Sequence, residues 1–290
     1  LADPPTPRHD AGRPWRIALV TEFYRPHVGG VVEHVHHFAE EARRRGHHVD
    51  VVTSRIEGGA THPNIVRIGE SLPVHANGSL ARITVGRGLR GAIRRALRRG
   101  RYDVVHVHSP LSPSLPMLAV EEAECALVGT FHAYFERSWA YMFGRTYFQR
   151  LMDRLDAAIA VSPAARDATG RYFDAQWTVI PNGVDTDVFT PMTPPAPLVC
   201  DDRPTILHVG RFDPRNGLPA LVAAFRLLRD RGHRARLVVV GDGPERDAYR
   251  ALGAGDPDIV FAGRVPDGLP GYYAGSAVYA CPAVLGSFGI

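Results

Sequence analysis

Arg211 and Arg215 follow the apolar run Thr205-Ile206-Leu207-His208-Val209 and its glycine, Gly210. Two planar guanidinium forks beside a glycine turn can clamp the oxygens of a diphosphate; a solvated loop would carry the same residues with no ligand. Near the start of the chain, Gly29-Gly30 separates another apolar run from a helical pattern. Two glycines admit a ligand close to the backbone and leave amides free at a helix start, where anions are attracted. The plainer reading is a tight turn. The spacing is not G-x-G-x-x-G, which argues against a dinucleotide cofactor. His132 comes directly after Ala126–Phe131, at the C-terminal end of an expected strand. Such a ring can hydrogen-bond a sugar or polarise a reacting group, or it can be structural. His106 and His108 bracket another strand end, with His106 read as core. His34, His36 and His37 raise the question of a metal, but no matching carboxylate arrangement accompanies them, so no metal site is assigned.

Between Gly86 and Arg101 lie Arg87, Arg90, Arg94, Arg95, Arg98, Arg99 and Arg101, with no acid among them. Leu89, Ile93 and Leu97 recur every four residues as one apolar stripe. This predicts a basic amphipathic helix, the pattern of a contact with an anionic membrane surface. No aromatic residues interleave with the arginines, so nucleic acid is not expected as a partner. The alternative is a solvated face covering a sheet.

The elements that must position these residues occur twice. Arg16–Val20, the turn at Gly29-Gly30, then Val31, Val32, Val35, Phe38, Ala39 and Ala42 at helical spacing, a stop at Arg45-Gly46-His47 and the run Val49–Thr53 form the first copy. Thr205–Val209, the turn at Asn216-Gly217, then Leu218, Leu221, Val222, Phe225 and Leu228, a stop at Arg231-Gly232-His233 and the run Leu237–Val240 form the second. Each is a βαβ opening of a parallel sheet. Further strands are predicted at 104–107, 126–131, 157–161, 177–180, 259–261 and 277–281. The expected organisation is a loose tail over 1–15, a Rossmann-like acceptor-binding domain over 16–190, a linker over 191–204 and a Rossmann-like nucleotide-sugar-binding domain over 205–290. A ligand is expected where two such domains face a cleft.

The composition agrees. A chain of 290 residues with 45% hydrophobic and 22% charged residues can fill two cores. The net charge is +4, and all 34 basic residues are Arg. Cys125, Cys200 and Cys281 are odd in number and far apart, which suits a reduced, cytoplasmic setting. The opening residues lack the apolar region of a signal peptide, and no run reaches the roughly 18 apolar residues of a membrane span.

Taken in order, several segments resemble the retaining glycosyltransferases of family 4, and within them the phosphatidylinositol mannosyltransferases of actinobacteria. They are Pro26-His27-Val28-Gly29-Gly30-Val31, Ala76-Asn77-Gly78-Ser79-Leu80-Ala81-Arg82, His106-Val107-His108, Pro113-Ser114-Leu115-Pro116-Met117-Leu118-Ala119, Thr130-Phe131-His132, Ile180-Pro181-Asn182-Gly183-Val184-Asp185, Val209-Gly210-Arg211 and Ser287-Phe288-Gly289-Ile290. The resemblance implies an α/β fold of two doubly wound Rossmann-like domains (GT-B) and transfer of a hexose, mannose from GDP-mannose, with retention onto a phosphatidylinositol-type lipid. It implies a peripheral position on the inner face of the plasma membrane and no required divalent metal. By position, Gly29 and Gly30 would form the glycine loop near donor and acceptor. Asn77, Ser79 and Arg82 would line the acceptor pocket, and His132 would sit beside the donor sugar. Arg211, with Arg215 and Asn216 nearby, would hold the diphosphate. Gly263, Arg264 and Val265 would meet the base, and Ser287, Phe288, Gly289 and Ile290 the sugar and phosphates.

The sequence departs from the family pattern at two places. Asn216 stands where the pattern has Lys, and Gly286 where it has Glu. The resemblance also implies further strands and helices beyond Ile290, so the second domain is expected to be incomplete. A degenerate homologue or fragment that binds nucleotide or lipid without catalysis therefore stays open, as does a nucleotide-sugar epimerase on the same architecture.

Overall fold

The computed structural model describes residues 13–27, 29–59, 62–76, 79–265 and 268–283. The described residues up to Asn182 form one compact unit and those from Gly183 a second. That division falls before the expected linker, whose Ala196 and Val199 are buried in the second unit's core.

In the first unit, β1 (Arg16–Val20) is a short apolar strand buried on both faces, as a central parallel strand must be. Ile17 and Leu19 point to one side, where they meet Val32, Val35, Ala39 and Ala42 of α1 (Gly30–Arg44) and Val49 and Val51 of β2 (His48–Arg55). Of the helical spacing read from the sequence, Val32, Val35, Ala39 and Ala42 form the face that α1 buries, whereas Phe38 is exposed. Next come β3 (Ile65–Ala76), β4 (Ser79–Val85), α2 (Leu89–Gly100), β5 (Val104–His108), α3 (Leu115–Glu122) and β6 (Ala126–Phe131). The unit closes with α4 (Trp139–Phe143), α5 (Arg145–Met152), β7 (Ala157–Ala160), α6 (Pro163–Gly170) and β8 (Trp177–Val179). Ala18 and Val20 point to the opposite side of the sheet, against Ile93 and Leu97 of α2, Leu115, Ala119 and Val120 of α3, and Leu151 and Met152 of α5. With helices on both faces, the unit is doubly wound.

The strand order is β4-β3-β2-β1-β5-β6-β7-β8. All neighbours pair in parallel except β3 and β4, an antiparallel pair in which Pro73 opposes Arg82. The order reverses direction between β1 and β5. That is the topological switch point, where crossover helices leave to opposite faces and open a crevice at the carboxyl ends of the strands.

The second unit repeats the plan with β9 (Thr205–Val209), α7 (Leu218–Asp230), β10 (Arg236–Val240), α8 (Arg246–Leu252), β11 (Ile259–Gly263), α9 (Leu269–Ala274) and β12 (Val278–Tyr279). Its parallel order is β11-β10-β9-β12, with the switch point between β9 and β12. One core lies under α7, around Leu218, Val222, Phe225, Leu237 and Val239. The other lies on the opposite face, around Leu207, Val238, Val240 and Tyr272. Gly217 opens α7 at φ 70°, and a Cβ there would stand 2.5 Å from the Pro282 carbonyl oxygen. Only glycine satisfies both demands, so the turn glycine read from the sequence has a packing reason.

Candidate functional site

In the first unit the chemistry-bearing residues collect at the switch point. Gly29 is in extended backbone and no atom lies within 4 Å of the place its Cβ would occupy. Neither backbone strain nor packing within this unit demands a glycine there; the space above it is open to a ligand. Gly30 is the first residue of α1. One turn on, His34 leans inward from α1 to meet two rings from strand ends, His108 of β5 and His132 just past β6. Its ring centre lies 5.4 Å from that of His108 and 5.3 Å from that of His132. His108 Nδ1 and His132 Nε2 are 3.0 Å apart, sharing one proton. His106, one pleat back on β5, stacks on His108 and bonds Thr130 Oγ1 through Nε2 at 2.7 Å.

Burial sets the charge of these rings. His132 is 8% exposed, and desolvation, reinforced by the neighbouring histidines, pushes its pKa down to about 3. His106 is pushed down to about 4 for the same reason, and His34 and His108 are lowered too. At neutral pH the cluster is a set of neutral imidazoles, able to hydrogen-bond a sugar without adding charge. The sequence considered His34 with His36 and His37. The fold separates them: His36 Nδ1 bonds the Tyr24 hydroxyl at 2.9 Å, His37 is exposed, and His34 joins rings more than seventy positions away.

Glu22, two residues beyond β1, belongs to the same edge and was not picked out from the sequence. Its Oε1 accepts hydrogen bonds from Thr84 Oγ1 of β4 at 2.6 Å and from Ser114 Oγ at 2.9 Å. Ser114 caps α3 from the left-handed region at φ 81°, an uncommon conformation for a side chain with Cβ. Burial outweighs these donors and raises the Glu22 carboxyl to about 7. Glu22 Oε2 is buried with no hydrogen-bond partner among the described residues. The sequence signal was a carboxylate two residues past an apolar run, which is a costly place for a charge.

Of the expected acceptor residues, Arg82 lies on β4 and donates from Nε to Ser71 Oγ at 2.7 Å, which aligns its guanidinium along the β3–β4 pair. Ser79 opens β4. Asn77 lies outside the described residues.

In the second unit, Arg211 follows β9 at the switch point, exposed, with no ion pair among the described residues. Asn216 donates its side-chain amide to the Arg211 carbonyl oxygen at 2.6 Å. Asn216 thereby braces the loop that presents Arg211. Arg215 lies in the short 3₁₀ turn Pro214–Asn216. Gly263 ends β11 at φ 72° with open space around it, and its carbonyl receives the Gly241 amide. Arg264 is exposed, and Val265 packs on the core beneath. Gly286, Ser287, Phe288, Gly289 and Ile290 lie outside the described residues.

The basic helix is α2, and its acid-free appearance is corrected by the fold. Arg90 pairs with Glu121 and Glu122, Arg94 with Glu122 at 2.5 Å and Arg98 with Glu124 at 2.6 Å. These acids come from α3 and its end, so half of the six arginines expected at a membrane are spent on a neighbouring helix. Arg87, Arg95 and Arg99 have no ion pair among the described residues. Alongside, Trp139, Met142 and Phe143 of α4 and Tyr147 of α5 are exposed. The Tyr147 hydroxyl donates to Glu121, the acid that Arg90 also holds, so these side chains lie next to the paired arginines of α2. Among the described residues, no helix is long and apolar enough to cross a membrane.

Comparison with known proteins gives two family matches, one over most of each unit. Residues 28–188 match the model of Glycosyltransferase Family 4, and residues 203–290 that of Glycosyl transferases group 1. The chain is 33% identical over 282 residues to a phosphatidyl-myo-inositol mannosyltransferase of Mycolicibacterium smegmatis, covering 95% of this chain and 72% of that one. It is 27% identical to the GDP-mannose-dependent alpha-(1-6)-phosphatidylinositol monomannoside mannosyltransferase of Mycobacterium tuberculosis, covering 92% and 72%. Among solved structures it shares the fold of sucrose-phosphate synthase from Thermosynechococcus elongatus, with a TM-score of 0.66, 19% identity and coverage of 94% and 77%. It also shares that of WaaG, a glycosyltransferase involved in lipopolysaccharide biosynthesis, with a TM-score of 0.64, 17% identity and coverage of 92% and 75%.

Proposed function

We propose that this chain, which belongs to glycosyltransferase family 4, moves mannose from GDP-mannose with retention onto a phosphatidylinositol-type lipid at a membrane surface. The donor and acceptor classes come from the relatives, whose names specify mannosyl transfer to phosphatidyl-myo-inositol. The observation that carries the reading is Arg211: an exposed guanidinium with no ion pair among the described residues, held at the carboxyl end of β9 by the bond from Asn216 to its own carbonyl.

As the glycosidic bond to the diphosphate breaks, negative charge grows on the departing oxygens. A preorganised guanidinium lowers the energy of that state more than it lowers the ground state. Arg211, with Arg215 in the same loop, serves this role in place of a divalent metal. His132, a neutral ring fixed by His108, hydrogen-bonds the donor sugar and adds no cation to compete for the phosphates. Gly29 and the first amides of α1 leave room for the donor's polar groups. Arg82, anchored on Ser71, receives the acceptor phosphate. Arg87, Arg95 and Arg99, with about 1 kcal/mol each against anionic lipid, and the apolar side chains of α4 hold the first unit to the bilayer.

One observation favours a second reading. The residue where the family pattern has a cation is Asn216, and its amide is committed to the Arg211 carbonyl. A chain that binds nucleotide weakly and transfers nothing would have this feature.

Calorimetry with GDP, GDP-mannose, UDP and UDP-glucose, followed by radiolabelled transfer onto phosphatidylinositol vesicles, separates the two. The first reading expects selective binding of the guanine pair and a labelled lipid. Binding without labelled lipid leaves the second reading, and selective binding of the uridine pair sinks the donor assignment. For the surface, Arg95→Ser with Arg99→Ser and, separately, Phe143→Ser should each reduce co-sedimentation with anionic vesicles. Replacing the already paired Arg94 and Arg98 should matter less, and equal losses would remove the proposed membrane contact.

A further inference from the structure

We propose that His34, His108 and His132 form a binding site for a borderline transition-metal cation of the Zn²⁺ or Co²⁺ kind, and that its occupancy opposes sugar transfer. One ring nitrogen from each residue lies within 4.8 Å of the other two. A four-coordinate site of three imidazoles, with metal–nitrogen bonds of about 2.0–2.1 Å, needs these nitrogens roughly 3.3 Å apart. His108 Nδ1 and His132 Nε2 already stand at 3.0 Å. His34 therefore has to close in by roughly 1–2 Å. It is only partly buried and sits in the first turns of α1, beside the open space at Gly29, so it is the member with room to move.

His108 offers Nδ1 to this site; its Nε2, on the far side of the ring, is buried with no hydrogen-bond partner among the described residues and is not part of the donor set. Burial holds the rings in their neutral form, and a metal requires the unprotonated nitrogen. Three histidines with a fourth position left open is the donor set of catalytic zinc sites.

Binding leaves the proton count unchanged. The cation replaces the proton shared by His108 and His132, and that proton moves to the far nitrogen of the ring that carried it. The cost falls on transfer. His132 gives its Nε2 lone pair to a cation, so the ring carries positive charge and no longer meets the sugar as a neutral hydrogen-bonding partner. The site thus makes the chain sensitive to free transition metal. Binding itself does not rest on the transferase reading; only its consequence does.

The test is titration of the full metal-free chain with Co²⁺ followed by visible absorption. The expected result is one equivalent bound with the intense d–d bands of a four-coordinate site, displaced by Zn²⁺. His34→Ala, at the least buried ligand, should weaken binding by at least about 100-fold, since even partners of a ligand are worth 10–100-fold. His37→Ala, exposed on the same helix, should leave it unchanged. A weak six-coordinate spectrum, or binding that His34→Ala does not alter, overturns the site. In transfer assays Zn²⁺ should inhibit and a chelator restore activity; a rise in rate with Zn²⁺ overturns the inhibitory role. Because absorbance needs no turnover, a chain that shows the Co²⁺ bands but never transfers sugar would refute the proposed function and leave this site standing.

Discussion

The carboxyl ends of β1, β5 and β6 and the carboxyl end of β9 do opposite things with charge. The first edge is built from buried groups whose charged forms burial disfavours: His106, His108 and His132, held neutral, and a Glu22 carboxyl raised to about 7. The second edge also buries one ring, His208, whose Nδ1 donates to the Ala280 carbonyl, but it sends its cation outward in Arg211. The same Rossmann edge thus offers two kinds of binding surface. A desolvated neutral edge suits the hydroxyl groups of a sugar or inositol ring, which need directional hydrogen bonds and no net charge. An exposed guanidinium suits a diphosphate, which arrives charged and needs a fork that stays ionised.

That contrast can be broken at its strongest point first. Arg211→Ala should lower transfer by about 100-fold, the cost of one electrostatic stabiliser of a transition state, and weaken nucleotide diphosphate binding in calorimetry. Unchanged binding removes Arg211 from the donor site and with it the distinction between the edges.

The neutral edge is tested next through pH. Glu22 holds its proton more tightly when folded, so the folded state loses ground as pH rises from about 4.5 to about 7. Glu22→Gln removes that loss. The variant should gain on the wild type by about 2.5 kcal/mol between pH 5 and pH 8 in urea unfolding, nearly two pKa units' worth. The histidines titrate in the opposite sense, because their lowered pKa values make the unfolded chain bind more protons below pH 6.5. Their contribution is common to both proteins and cancels in the difference. A difference that does not change with pH would mean that Glu22 is ionised throughout and that the first edge carries a charge after all.

The smallest expected effect concerns how Arg211 is held. Asn216→Ala should cost about 1 kcal/mol of stability in the second unit, the worth of one hydrogen bond, and weaken diphosphate binding only a few-fold. A loss as large as that of Arg211→Ala would show that Asn216 contacts the donor itself.

Much of the scaffold was legible. Helices α1 and α7 and the strands that precede them carry apolar residues at the spacing that burial requires, and each sits beside a glycine turn. The pair β3–β4 was not legible as strands, although the acceptor stretch was recognised within it. From Glu70 to Val74, β3 is exposed or half-buried, so no alternation of apolar and polar residues is imposed on it. The pairing of α2 with Glu121, Glu122 and Glu124 was equally hidden, because cation and acid lie 26 to 32 positions apart.

By itself, then, the amino-acid sequence determined where backbone must be buried and where it must turn. Those are local demands of hydrophobic burial and backbone geometry, written at periods of two and 3.6 residues. It also determined the types of chemistry available, since Arg is charged wherever it lies. Only the tertiary structure decided which histidines meet and which arginines are neutralised. It also decided that a carboxyl after β1 titrates near neutral pH. These depend on desolvation and on distances across the sheet, and the order β2-β1-β5-β6 sets both.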